Sequence, residues 1–139
     1  MKKKFMPILG IPLLLVMMFS LNSFASSGQN LTVQVGTGST FVTGVSNASR
    51  TGNYSYVYVN IESVYPVEGK DNFTKCKVRI YKGDWTGAAF SNEYTLTEGY
   101  GNQTISLYNG GLSCLKFNIK FAGNDPEYGA KIHFSYDGK

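Results

Sequence analysis

Three tyrosines stand two residues apart at Tyr54, Tyr56 and Tyr58 in NYSYVYVNIESV, and Lys75, Lys77, Arg79 and Tyr81 repeat that spacing in TKCKVRIYK. In an extended chain such residues share one face, about 7 Å apart. Phenol rings with polar tips and cationic side chains at this interval suit stacking on sugar rings, contact with an anionic polymer, or docking on another protein. They also support one another across strands, as aromatic and cation–π pairs of up to about 1 kcal/mol each. Trp85, in the loop GDWTG, is the remaining aromatic candidate. It either anchors a ligand or closes the end of a core.

Catalytic chemistry has less to draw on. His133 is the single histidine and sits between apolar positions of a strand-like run. The segments GVSNA and GLSCL each lack the last glycine of a nucleophile elbow. Asp125 and Glu127, Glu68 and Asp71, and Asp84 lie in turn-rich segments. Acids there ordinarily form turns, and none has the spacing of a calcium loop. A small hydrolase built from two such loops is the reading they leave open. Cys76 and Cys114 are the two cysteines, and with His133 they make too few ligands for a metal site. The chain is therefore read as not an enzyme, with no cofactor and no metal.

The N-terminus places these residues in a compartment. Lys2, Lys3 and Lys4 precede an apolar run from Phe5 to Leu21, and Ser23-Phe24-Ala25 supplies small residues for cleavage. Two prolines interrupt the run, which is shorter than the about 20 apolar residues of a spanning helix. Residues 1–25 read as a secretory signal peptide of bacterial style, and 26–139 as a single secreted domain. The end of the chain shows no anchoring pattern, so the product is expected to be released, extracellular. The full chain has 13 Lys and Arg against 9 Asp and Glu; without the three leader lysines ten basic residues face nine acidic ones, a net charge of +1. That balance argues against nucleic acid as a partner. Export also makes a Cys76–Cys114 disulfide the default expectation, closing a loop of about 40 residues worth about 4 kcal/mol.

These candidates need a scaffold, and period-two patterning supplies one. Turn residues recur at even intervals, and the runs between them are rich in Val, Ile, Thr, Tyr and Phe. They predict strands near 30–36, 40–46, 54–64, 74–82, 89–96, 102–108, 113–122 and 130–136. Val57, Val59 and Ile61 alternate with the tyrosines; Cys76, Val78 and Ile80 with the cations; Leu115, Phe117, Ile119 and Phe121 with Lys116, Asn118 and Lys120; Ile132, Phe134 and Tyr136 with Lys131, His133 and Ser135. The aliphatic series faces the core, because the tyrosine parity continues into Asn60 and Glu62, which are costly to bury unpaired. Alternation of this kind belongs to antiparallel sheets with one wet face. The expected fold is all-β, an antiparallel β-sandwich of about eight strands, immunoglobulin-like or jelly-roll-like.

Two pairings follow as expectations. A three-residue turn at Asn109-Gly110-Gly111 would set Ile105 opposite Leu115 and Leu107 opposite Ser113, keeping apolar side chains on one face. It leaves Cys114 on the lysine parity and Cys76 on the valine parity, so a disulfide would need one cysteine at a strand end or bulge. If 54–64 and 74–82 are neighbours, Tyr54, Tyr56, Tyr58, Lys75, Lys77, Arg79 and Tyr81 form one aromatic and basic face. Asn-x-Ser/Thr triplets at Asn30, Asn47, Asn53, Asn72 and Asn102 read as incidental in a bacterial product. The function expected is a binding module at an extracellular surface or polymer, its partner a carbohydrate, a cell-surface component or a protein. The alternative is a secreted antimicrobial or membrane-active toxin, bacteriocin-like, and only that reading involves a membrane.

Overall fold

Alternating aliphatic residues form eight strands in a computed structural model that describes residues 26–51, 54–67, 73–111 and 114–138. The expected leader lies outside the described residues, as do Glu68, Asp71, Ser113 and the triplet asparagines Asn53 and Asn72. The strands are β1 (Ser27–Val35), β2 (Val42–Ser49), β3 (Tyr56–Pro66), β4 (Lys75–Lys82), β5 (Tyr94–Thr97), β6 (Asn102–Ser106), β7 (Lys116–Gly123) and β8 (Ala130–Asp137). They make two four-stranded antiparallel sheets, a first in the order β1-β8-β3-β6 and a second in the order β2-β7-β4-β5. The inner faces meet in one core. Val57, Val59, Ile61, Ile105, Ile132 and Phe134 come from the first sheet, and Cys76, Val78, Ile80, Phe117, Ile119 and Phe121 from the second, all fully buried.

Each sheet carries breaks in its alternation. Asn30 and Asn47 adopt left-handed backbone at φ 53°, where β1 and β2 shift register against β8 and β7. Asparagine tolerates this conformation better than most residues, so two of the triplet asparagines are bulge residues. A further shift in β3, between Ile61 and Ser63, turns Val64 inward and leaves Tyr65 exposed. The expected strand 89–96 is shorter than its composition suggests. Single bridges pair Ala89 with Tyr81 and Ser91 with Leu107, and β5 begins only at Tyr94.

Both expected pairings are corrected. β6 pairs with β3 and not with β7, so the turn at Tyr108–Gly111 carries the chain from one sheet to the other instead of closing a hairpin. Leu115 precedes β7 and is 49 % exposed. β3 and β4 belong to different sheets, although they are consecutive in the chain.

The disulfide is also absent: Cys76 and Cys114 are both free. Cys76 pairs across to Gly123 at the far end of β7, and Lys82 pairs with Phe117 at the near end. Cys114 lies beyond that near end, roughly 20 Å or more along the strand from Cys76 at about 3.3 Å per residue. No side chain rotation closes that distance. Cys76 is buried, and desolvation pushes its thiol up to about 12. Cys114 is partly exposed, and its S–H donates to the carbonyl of Lys116 at 3.0 Å.

Arg50 ties the connections at this end together. Its side chain is fully buried, the largest such group among the described residues. Nε donates to the carbonyl of Cys114 at 3.1 Å, and Nη1 to the carbonyls of Thr51 and Tyr54. The guanidinium also lies 5.8 Å from the Phe90 ring centre. Gly111, at φ 74°, leaves room for it, since a Cβ there would collide with Nη2. Burial lowers the guanidinium's pKa, and the Cys114 thiol opposes that effect. Even so, arginine stays charged, and backbone carbonyls do the solvating that a carboxylate would otherwise do.

Side chains join the sheets along the edge formed by β5 and β6. Gln103 Nε2 donates to the Thr97 carbonyl at 2.8 Å, and its Oε1 accepts from the Thr97 amide at 3.2 Å. The hydroxyl of Tyr94 accepts from the amide of Ser106 at 3.3 Å. Backbone groups at this seam are thereby partly occupied.

Candidate functional site: two outer faces and a tryptophan turn

The single face expected from sequence is divided between opposite sides of the sandwich. Tyr56 and Tyr58 point outward from β3 in the first sheet, and Tyr54 continues their line before the strand begins. Lys75, Lys77, Arg79 and Tyr81 point outward from β4 in the second sheet, because Cys76, Val78 and Ile80 between them are buried.

On the first sheet the tyrosines pack against one another. Ring centres lie 5.7 Å apart for Tyr54–Tyr56 and 5.0 Å for Tyr56–Tyr58. Tyr54 is 41 % exposed, and the other two are half-buried. A hydrogen bond to Tyr58 raises the pKa of the Tyr56 phenol above its ordinary value, with smaller contributions from burial and from charge on Tyr58, Tyr54 and Asp137. Further along this face Asn60 Nδ2 donates to Ser135 Oγ at 3.4 Å. His133 Nδ1 bonds Thr32 Oγ1 at 2.9 Å, and its ring lies 5.4 Å from Tyr65. His133 is thus a half-buried strand residue with a hydroxyl partner. Rings, amides and hydroxyls make this a predominantly neutral surface.

The second sheet is cationic. β7 adds Lys116 and Lys120 to the row on β4, with Lys120 directly opposite Arg79. Lys120 Nζ stands 4.3 Å and the Arg79 guanidinium 5.7 Å from the ring centre of Tyr81, and Phe41 meets that ring edge-on at 6.4 Å. Lys77 Nζ pairs with Glu93 at 3.3 Å and donates to Ser39 Oγ at 2.9 Å. Arg79 Nε donates to the Ser91 carbonyl at 3.1 Å.

Beyond the Lys82 end of this face the chain turns through Gly83–Gly87. Asp84 Oδ1 accepts from the amides of Thr86 and Gly87 at 3.0 and 3.3 Å and from the Thr86 hydroxyl. The bond from the Thr86 side chain leads the effects that lower the Asp84 pKa. The Gly83 amide donates to the Lys116 carbonyl at 2.9 Å, anchoring the turn to β7. Trp85 at its tip is 96 % exposed. It does not close the core; Phe90, fully buried at this end, contributes to that closure.

Of the loop acids, Asp84 and Asp125 serve as turn formers. Asp125 Oδ1 accepts from the amides of Glu127 and Tyr128 at 2.7 and 3.0 Å. Glu98 Oε2 accepts from the Val64 amide at 2.8 Å, beside a cleft of about 450 Å³ that Glu62 also lines. Among the described residues no group of three His, Cys, Asp or Glu is placed to hold a metal ion, and no helix is long and apolar enough to cross a membrane. No family model, curated protein or solved structure matches this chain.

Proposed function

We propose that this chain is a secreted, non-catalytic binding domain that acts at an extracellular surface or polymer. One observation carries the reading: an indole almost wholly in water on a turn closed by its own hydrogen bonds. Leaving a tryptophan in solvent forgoes roughly 2 kcal/mol or more of burial. Holding it in a fixed turn lowers the ordering cost of covering it with a partner. The test uses the purified chain and Trp85→Ala. Both should unfold at the same urea concentration, while the variant loses at least tenfold in adsorption to isolated cell-wall material. Equal adsorption by the two proteins would remove Trp85 from the binding surface and the reading with it.

A membrane-active toxin is the second reading. It is favoured by exposed Leu115, which adjoins Lys116, the residue against which Gly83 of the tryptophan turn packs. It requires dye release from liposomes of envelope lipids. Inactivity across anionic and neutral compositions would eliminate it.

A further inference from the structure

The net charge of +1 expected for the domain conceals how charge is distributed. On the outer face of the second sheet Lys75, Lys77, Arg79, Lys116 and Lys120 gather, and among the described residues the acid that pairs with them is Glu93, on Lys77. Like charges placed directly opposite on neighbouring strands destabilise a sheet. Arg79 and Lys120 are such a pair, held side by side by the Tyr81 ring and by the Ser91 carbonyl that Arg79 Nε bonds. Five cations on one face with one acid paired among them make a local excess of positive charge that favours an anionic partner.

We propose that this face, from Lys75 to the tryptophan turn, is a track for a linear acidic polysaccharide, with Trp85 stacking on a sugar ring at its end. The inference rests on the binding reading above and names its ligand class. Three features favour this occupant. The outer-face cations run along the strand direction over roughly 26 Å from Lys75 to Lys116, which lies level with Gly83, so a chain lying on the sheet reaches all of them. A bilayer touching only the tryptophan turn would leave Lys75 more than a Debye length, about 8–10 Å, from its surface. Among the described residues of this face Trp85 has no second open ring beside it, since Lys120 and Arg79 stand against Tyr81, whereas single-stranded nucleic acid stacks successive bases on a series of platforms. Asp84, the acid nearest the tip, has Oδ1 turned onto its own loop.

Trp85 is the single tryptophan of the chain, so its emission reads binding directly. Titration of the purified chain with polygalacturonate should shift that emission to the blue, and neutral dextran should leave it unchanged. Affinity should fall as salt rises, the logarithmic slope changing by roughly 0.7 for each cation engaged. Lys120→Gln and Lys75→Gln should each weaken binding about threefold to fivefold and flatten the slope, whereas Lys131→Gln, on the first sheet, should do neither. Equal response to dextran, indifference to Lys120→Gln and Lys75→Gln together, or a shift produced by phosphatidylglycerol vesicles or oligothymidylate but not by polygalacturonate would each overturn the proposal. If polygalacturonate fails while Trp85→Ala still abolishes cell-wall adsorption, the binding reading stands and only this ligand class falls.

Discussion

The two outer faces use the same residue type in opposite ways. On the first sheet Tyr54, Tyr56 and Tyr58 lean on one another, so their edges and hydroxyls make a surface without strong charge. On the second, Tyr81 has a lysine and an arginine against its ring and serves as a spacer between like charges. The difference lies in the neighbouring strands. Tyr58 stands between Thr104 of β6 and Asp137 of β8, whereas β7 sets Lys120 beside Tyr81. A tyrosine's role on a sheet is thus decided by cross-strand neighbours that its own strand does not reveal.

The largest expected effect breaks what both faces share. Arg50→Met would leave the carbonyls of Thr51, Tyr54 and Cys114 without their buried donor. It should lower the unfolding free energy by about 3 kcal/mol or more, read as a shift of the urea midpoint with probes on both sheets moving together. Next, the two kinds of tyrosine should separate. Tyr81→Ala exposes Arg79 and Lys120 to each other and should cost about 2 kcal/mol, against about 1 kcal/mol for Tyr56→Ala; equal losses in paired denaturation curves would erase the distinction.

A third effect belongs to the neutral face. The Tyr56 phenol should ionise above the ordinary tyrosine value of about 10, and Tyr58→Phe should bring it down, as followed by tyrosinate absorbance. Because the folded state holds this proton more tightly, its stabilisation is complete below the unfolded pKa. It is lost as pH rises through the folded one. The smallest effect concerns the thiols and leaves stability untouched. Cys114 should react with a thiol reagent in the native protein near pH 8, and Cys76 only after unfolding, with reductant shifting neither unfolding midpoint.

The strands were legible because Val57-x-Val59-x-Ile61 and Phe117-x-Ile119-x-Phe121 can bury one face in no other conformation. Their pairing was not. Period two assigns each side chain to a face but says nothing of which strand lies alongside, so β3 and β4 read as neighbours when they lie in different sheets. The same gap explains β6 and β7: a glycine turn after Ile105 and Leu107 looks like a hairpin, whereas Gly111 leaves space for Arg50. The mismatched parities of Cys76 and Cys114 were a warning that the disulfide did not fit. The mid-strand asparagines Asn30 and Asn47 carried a signal too, since a residue tolerant of positive φ within a β-branched run suggests a bulge. Trp85 was visible as a candidate, and its exposure was not, because a loop residue has no periodicity from which to infer its surroundings.

Gln103 has a consequence outside the two outer faces. By taking both polar groups of Thr97, its amide imitates an added strand and leaves an incoming peptide no ladder to extend at that position. Fibril growth from this margin is therefore disfavoured, and the molecule can stay separate even where many copies are crowded together.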